Sequence, residues 1–297
     1  MENVLKTRSG NLRSIYAMLI AVAMFSLMDT AMKLLSAHYP AVQVAALRAL
    51  SSLPLVCAYV AWRGAFKAIL KVRWSMHLMR AGLGIVMLSL FAYGLKKLSL
   101  AEAYSIFFIA PALITALSVW LLKERVDAAR WTAIAVGLGG VLVVLRPSGE
   151  GFLTIGGLAI LGAAACYAVS AISARMMARS ERSEHMVFWL MLLMAIGASA
   201  LAAPDWVALR VQDMPLLCGL AVSGFFGQLA INEAFRSGEA SSVAPFEYSA
   251  LAWGVALDWV LWRSLPDQFT LIGAAIIIGS GIYLIRREKV HAECEHP

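Results

Sequence analysis

Long apolar stretches alternate with short polar loops along the whole chain of 297 residues. A helix needs about 20 mostly apolar residues to cross the hydrocarbon of a bilayer. The pattern predicts ten such helices, at 15–35, 42–62, 77–95, 100–121, 130–145, 155–174, 185–203, 214–235, 240–262 and 268–285. The predicted fold class is therefore all-α, in the form of a polytopic membrane protein.

Part of the first half of the chain recurs in the second half. Residues 93–146 align with residues 233–286 without a gap, at a constant shift of 140 positions and with nine identities. Five spans in each half place the second half in the membrane in the opposite sense, and inverted repeats are typical of transporters. We expect two inverted five-helix repeats, 1–148 and 149–288, and a cytoplasmic tail at 289–297.

Composition and charge place this chain in a membrane. It is 61% hydrophobic and 14% charged, whereas a soluble protein has about 25% charged residues. Of its 25 lysines and arginines, eighteen lie on one side of the predicted membrane and five on the other, with Lys33 and Arg48 inside spans. By the positive-inside rule both termini are cytoplasmic. Because the basic residues serve this topology, no nucleic-acid partner is expected.

The sequence contains no motif for a catalytic centre. It has no nucleotide-binding glycine loop, and its four cysteines and five histidines lack metal-ligand spacing. We therefore expect no catalytic residues, no cofactor and no metal, and a membrane enzyme or receptor is a remote alternative. The expected partners are a small-molecule substrate and the lipid bilayer. A homodimer packed through the glycine-rich fifth and tenth spans is left open.

Ionisable side chains inside a membrane are costly and usually functional. On the first span, Asp29 is a candidate to bind a substrate ammonium group or to carry a proton. Alternatively, Asp29 pairs with Lys33, one helical turn away. Arg48 on the second span needs a partner, which Asp29 or a water-filled cavity would supply.

The ninth predicted span carries two further acids. Glu247 and Asp258 are 11 positions apart, which returns to nearly the same face of an α-helix. Both are candidate proton carriers, and Glu247 is also a candidate substrate ligand. The alternative is a hydrogen bond between Glu247 and Arg48, or a backbone group, that only fixes packing. Tyr248 either contacts substrate or packs as an apolar aromatic.

Amides and a break in the fourth span complete the set of candidates. Gln228 and Asn232 are one turn apart on the eighth span, where they bind either substrate or a neighbouring helix. Glu102 either favours the start of the fourth helix or gates the cavity, and Tyr104 is a candidate lining residue. Pro111 is expected to kink the middle of that helix.

Several stretches resemble a known transporter repeat. The residues Leu100 to Ala103, Pro111-Ala112 and Trp120 to Val126 are similar to the EamA repeat of the drug/metabolite transporter superfamily, and Val243 to Trp253 resembles the same element. The second copy has Ser264 at the position of Glu124. The resemblance implies two inverted five-helix halves around a cavity lined by spans one, three, four, six, eight and nine.

The resemblance also implies a function and a location. Relatives carry amino acids and other metabolites outward, or riboflavin, choline or S-adenosylmethionine inward. We expect a secondary transporter of the bacterial inner membrane that works by alternating access around a midplane site. Export of an amino-acid-like or amine-bearing metabolite is the first expectation. Import of a vitamin or of an S-adenosylmethionine-like metabolite is the alternative.

Overall fold

The computed structural model describes residues 2–65, 69–95, 97, 106–145, 154–178, 180–262 and 268–293. Every regular element within these ranges is helical, which confirms the all-α prediction. The helices of eight or more residues in them are α1 Glu2–Leu35, α2 Ala41–Trp62, α3 Trp74–Leu95, α4 Ala110–Leu117, α5 Ala128–Leu145, α6 Ile155–Met177, α7 Ser183–Ala202, α8 Met214–Ser237, α9 Ser249–Trp262 and α10 Gln268–Glu293.

Six segments of the described chain are long and apolar enough to cross a membrane. They are Leu12–Met32, Val42–Trp62, Trp74–Phe91, Ile155–Met177, Ser183–Asp205 and Val211–Ser237. Three shorter apolar helices, Ala110–Leu122, Ala128–Val143 and Leu271–Leu284, accompany them. By length and composition, the chain is suited to cross a membrane several times.

The ninth predicted helix is interrupted. An α-helical turn at Ala240–Val243 leads into a 3₁₀ segment at Ala244–Tyr248, and α9 begins only at Ser249. Pro245 lies in the first turn of the 3₁₀ segment and has no amide hydrogen to donate to an α-helical ladder. The prediction of one continuous helix over 240–262 was therefore wrong. Since Glu247 lies in the 3₁₀ segment, the α-helical spacing used to align it with Asp258 does not apply.

The fourth predicted helix is also broken. Residues 106–107 are helical, a turn follows at 108–109, and α4 begins at Ala110. Pro111 therefore lies in the first turn of a helix, where its missing amide hydrogen is tolerated, and not at a mid-helix kink as predicted. A π-helical turn at Ser118–Leu122 ends this helix. The predicted residues 100–105 lie outside the described part of the chain.

The helices pack in pairs that join the two halves of the chain. The largest contacts are α1 with α8, α3 with α6, α2 with α7, and α5 with α10. Exchanging the halves, so that α1 becomes α6 and α3 becomes α8, leaves this set of pairs unchanged. Two glycines of α8 allow a close approach to α1 and α2 of the first half. A Cβ atom would lie 2.8 Å from Ser52 Oγ at Gly224, and 2.8 Å from the Phe25 ring at Gly227.

Glycines of the fifth and tenth spans also pack against each other. A Cβ atom on Gly140 would lie 2.8 Å from Ile277 Cγ1 and 3.0 Å from the carbonyl oxygen of Gly273. These contacts join α5 to α10 within one chain. The homodimer considered from the sequence stays a prediction.

Substitution of Gly140 tests this packing. Gly140→Ala should destabilise the protein by about 1–3 kcal/mol, because the new methyl group would overlap the backbone of α10. Gly139→Ala is the matched control, since a Cβ there meets nothing within 4 Å. Its better helix propensity predicts a gain of up to about 1 kcal/mol. Thermal unfolding in detergent measures both, and equal melting temperatures would contradict the close α5–α10 contact.

Candidate functional site

Both halves interrupt the corresponding helix at nearby positions. The 3₁₀ segment Ala244–Tyr248 of the second half corresponds, at the shift of 140 positions, to residues 104–108 of the first half. The described part of that stretch contains the turn that begins at Phe108. Interrupted helices at corresponding positions of two repeats are a feature of transporter binding sites. A substrate-binding site is therefore expected at these two breaks.

A buried carboxyl group lies in the second break. Only 9% of Glu247 is exposed, and its Oε1 accepts a hydrogen bond of 3.0 Å from the hydroxyl of Tyr167 on α6. The partner is thus Tyr167 and not Arg48, which the sequence had suggested. The Tyr167 ring lies 5.8 Å from that of Phe107, which lies 5.4 Å from that of Phe91. Aromatic side chains from α3, from the residue just before the first break and from α6 therefore pack around the hydroxyl group that holds Glu247.

Asp29 faces a water-accessible space inside the helix bundle. The exposed apolar residues Ile20, Leu27 and Leu34 mark one face of α1. At 3.6 residues per turn, Asp29 lies about 180° from Ile20, and it is nevertheless exposed. An exposed acid on the face opposite the apolar stripe is directed towards the bundle and away from lipid.

Arg48 connects the two acidic regions. Its charge acts on Asp29 and on the hydroxyl of Tyr167, the residue that donates to Glu247. Its guanidinium carbon lies 5.7 Å from the centre of the Phe25 ring, a cation–π distance. The structure thus brings Asp29, Arg48, Tyr167 and Glu247 into one electrostatic group, in which the Arg48 cation interacts with groups on α1 and α6.

The two predicted amides lie on the buried face of α8. Gln228 is 6% exposed and Asn232 is 1% exposed, and Gln228 Nε2 donates to Asn232 Oδ1 over 3.5 Å. Among the residues that the structure describes, Asn232 Nδ2 has no acceptor. Leaving a buried donor without a partner costs about 1–3 kcal/mol. This donor is therefore available to a ligand.

The other predicted site residues divide into two groups. Tyr248 is 1% exposed, and its ring packs with Val141 and Ile277 and directly against Gly137. Its hydroxyl has no partner among the described residues. Its role in binding stays a prediction. The remaining predictions fall on residues that the structure does not describe, in full or in their side chains, namely Glu102, Tyr104, Lys33 and Asp258.

Two contributors were missed from the sequence, Tyr167 and Phe107. Tyr167 stands in the stretch Ala163-Ala164-Ala165-Cys166-Tyr167-Ala168, in the middle of a span. A single large polar aromatic among small residues is a usable signal, because small residues let other helices approach it. Phe107 carried no such signal, since one more phenylalanine in an apolar span is unremarkable before its neighbours are known.

Comparison with known proteins identifies the family. The sequence model of the EamA-like transporter family matches twice, at residues 12–146 and 154–287. The chain belongs to the EamA-like transporter family. The two matches lie in the two halves that carry the corresponding helix breaks.

Several curated transporters are similar to this chain over nearly their whole length. A riboflavin transporter of Vibrio cholerae is 26% identical, and the alignment covers 91% of this chain and 92% of the relative. A pseudopaline exporter of Pseudomonas aeruginosa is 24% identical, over 89% of this chain and 93% of the relative. An S-adenosylmethionine uptake transporter of Rickettsia conorii is 28% identical, over 100% of this chain and 99% of the relative. A solved crystal structure at 20% identity has the same fold, with a TM-score of 0.80 over 94% of this chain and 98% of that one.

Family membership and the apolar helices together define the class of protein. The chain is a multi-pass membrane transporter. The expectation of a transporter and not an enzyme is confirmed.

Removing one hydroxyl tests the link between α6 and the second break. Tyr167→Phe keeps the ring next to Phe107 but leaves Glu247 without its hydrogen-bond donor. The loss of a partner for a buried group should lower stability by about 1–3 kcal/mol. Tyr16→Phe on the exposed face of α1 is the matched control. A melting temperature unchanged in Tyr167→Phe would show that the bond does not hold the segment.

Proposed function

We propose that this protein is a secondary transporter of the bacterial inner membrane that exports a small amino-acid-like or amine-bearing metabolite by alternating access. The observation that carries the proposal is the position of Glu247. It is a buried acid in the break of one half, linked through Tyr167 and Arg48 to the exposed Asp29. A buried acid in a transporter is a functional group by default, because its burial in the membrane is costly.

The proposed topology has ten spans in two inverted repeats, 1–148 and 149–288. Two observations support this topology: the family model matches twice, and the set of helix pairs is unchanged when the two halves are exchanged. The excess of basic residues on one side supports cytoplasmic termini. The helix α10 continues to Glu293, so the proposed tail at 289–297 starts as helix.

The site supplies groups that suit a zwitterionic substrate. Glu247 and Asp29 are suited to an ammonium group, Arg48 to a carboxylate, and Asn232 Nδ2 to a further acceptor. A relative named as an exporter of pseudopaline supports an outward direction. Glu247 and Asp29 are also the proposed proton carriers, together with Asp258.

Import is the second candidate function. The relatives include transporters named for S-adenosylmethionine uptake and for riboflavin. A vitamin or an S-adenosylmethionine-like metabolite would then pass the same cavity. Both candidates use the same residues, so only transport measurements separate them.

The side of the site that we assign to the cytoplasm is closed by apolar packing. Residues 240–246, which lead from that side to Glu247, are all buried. Four of them, Ala240, Val243, Ala244 and Phe246, belong to one apolar cluster with Ile15 and Met18 of α1, Ile114 of α4 and Phe235 of α8. With Asp29 exposed on the other side, these contacts favour an outward-facing conformation.

Polar contacts between the halves reinforce this closure. Glu124 accepts hydrogen bonds from the amides of Ala240 and Ser241, at 3.0 and 3.1 Å, and from the Ser241 hydroxyl at 3.0 Å. Arg130 Nη1 donates to Glu239 Oε2 at 2.5 Å and to Ser241 Oγ at 3.1 Å. Two residues of the first half therefore hold the start of the segment that carries Glu247. We call these four residues, Glu124, Arg130, Glu239 and Ser241, the clasp.

Neutralising Glu247 tests the site. Glu247→Gln should reduce transport at least tenfold with little change in melting temperature, because glutamine still accepts the bond from Tyr167 but carries no charge. Uptake of a pooled set of labelled metabolites into liposomes, with and without a pH gradient, measures the effect. Asp205→Asn, at an exposed acid in an outer loop, is the control. Normal transport by Glu247→Gln would refute the assignment.

Exchanging charges tests the clasp. Arg130→Glu and Glu239→Arg should each open the cytoplasmic side, and the double variant should restore closure. The readout is the rate at which an impermeant thiol reagent labels Ser242→Cys in inside-out vesicles. The protein used for this measurement has its four native cysteines replaced. Each single variant should raise the labelling rate about tenfold, equivalent to about 1.4 kcal/mol. Arg125→Glu, in the adjacent exposed loop, is the control. Equal rates in all variants would rule out a gating role.

A further inference from the structure

A cavity lies away from the proposed transport site. It has a volume of about 520 Å³ and lies at the ends of α1, α2, α7 and α8 that we assign to the cytoplasm. None of its lining residues belongs to the group around Glu247. Its volume is in the usual range of about 300–1,000 Å³ for small-ligand sites.

The charges of this cavity are unequal. Arg13 pairs with Glu233 and Arg63 pairs with Glu184, both at 2.9 Å. The third arginine of the lining, Arg236, has no acidic partner within ion-pair distance among the described residues. Its Nη1 instead donates to Ser183 Oγ at 3.1 Å. One positive charge is therefore left without a counter-charge.

A helix end adds to the positive potential. The first residue of α7, Ser183, lines the cavity. The first amides of a helix of 20 residues attract anions because they lack partners within the helix. Just before the helix, Arg182 binds Glu184 Oε1 at 3.3 Å and shares that acid with Arg63. The acids in the cavity are thus already neutralised by arginines.

Aromatic residues indicate the depth of the cavity in the membrane. Trp62 lines the cavity and is 81% exposed at the end of α2, and Tyr59 lies one turn earlier. Tryptophan and tyrosine concentrate at the level of the lipid head groups. Basic pockets between helices on the cytoplasmic side bind anionic head groups.

We propose that this cavity binds the phosphodiester head group of an anionic phospholipid from the cytoplasmic leaflet. A phosphodiester carries one negative charge, which matches the single uncompensated charge of Arg236. Ser183 Oγ would donate a further hydrogen bond to the phosphate, and Trp62 would contact the glycerol and upper acyl chain. A soluble phosphate compound shares the same chemistry and is distinguished by experiment.

Native mass spectrometry of the purified full-length protein tests the proposal. With phosphatidylglycerol and phosphatidylcholine offered in equal amounts, the protein should retain phosphatidylglycerol preferentially. Arg236→Gln should weaken that retention about tenfold, whereas Arg125→Gln, at an exposed arginine outside the cavity, should not. Equal retention by the wild type and Arg236→Gln would overturn the proposal, as would equal retention of the two lipids.

A second variant and a competitor separate lipid from soluble phosphate. Trp62→Ala alters an exposed side chain, so the fold should be kept, and it should weaken lipid retention without changing the binding of inorganic phosphate. Millimolar glycerol 3-phosphate should leave the bound phosphatidylglycerol in place. Displacement of phosphatidylglycerol at that concentration would show that the cavity binds a soluble phosphate compound and not a lipid, and would overturn the proposal.

Discussion

Backbone that leaves the α-helical ladder inside a membrane has to be covered by protein, and the fold depends on meeting this requirement at Ala244–Tyr248. An unsatisfied amide or carbonyl group facing lipid costs several kcal/mol. All five residues of the segment are buried. Side chains of α1, α4, α6 and α8 close over it in one apolar cluster. The break and its cover therefore exist together, and the covering helices bring Tyr167 to Glu247.

This cover requires close approach of the helices. Apolar side chains gain little by leaving lipid for a protein interior, so contact between membrane helices relies on packing at short distance. Gly224 and Gly227 allow α8 to lie directly against Phe25 of α1 and Ser52 of α2. The same α8 carries Gln228 and Asn232 one turn further on. Small residues thus determine where the polar groups of the site are placed.

The sequence predicted the features that depend on local pattern. The helices follow from runs of apolar residues, and Glu247 and Asp29 stand out because charge inside a span is rare. The break at 244–248 was not predicted, because α-helical and 3₁₀ segments bury similar apolar residues. The bond from Tyr167 to Glu247 joins positions 80 residues apart, and that from Arg130 to Glu239 joins positions 109 apart. Such pairings follow from tertiary packing, which a single sequence does not specify.

A symmetric scaffold with asymmetric chemistry would give the proposed transporter a preferred conformation. If exchange of the halves converts the outward-facing into the inward-facing arrangement, the scaffold alone gives the two states similar free energies. The side chains break this symmetry. Glu124 accepts three hydrogen bonds in the clasp, whereas the corresponding residue of the second copy is Ser264.

A serine hydroxyl lacks the charge and the second oxygen that make this set of bonds, so a serine at that position cannot accept the same three hydrogen bonds. Each 1.4 kcal/mol of such a difference changes the ratio of the two conformations tenfold. We infer that the clasp biases the empty transporter towards the outward-facing state. In the proposed mechanism, substrate or proton binding at Glu247, which lies on the segment that the clasp holds, has to offset this bias before the side assigned to the cytoplasm opens.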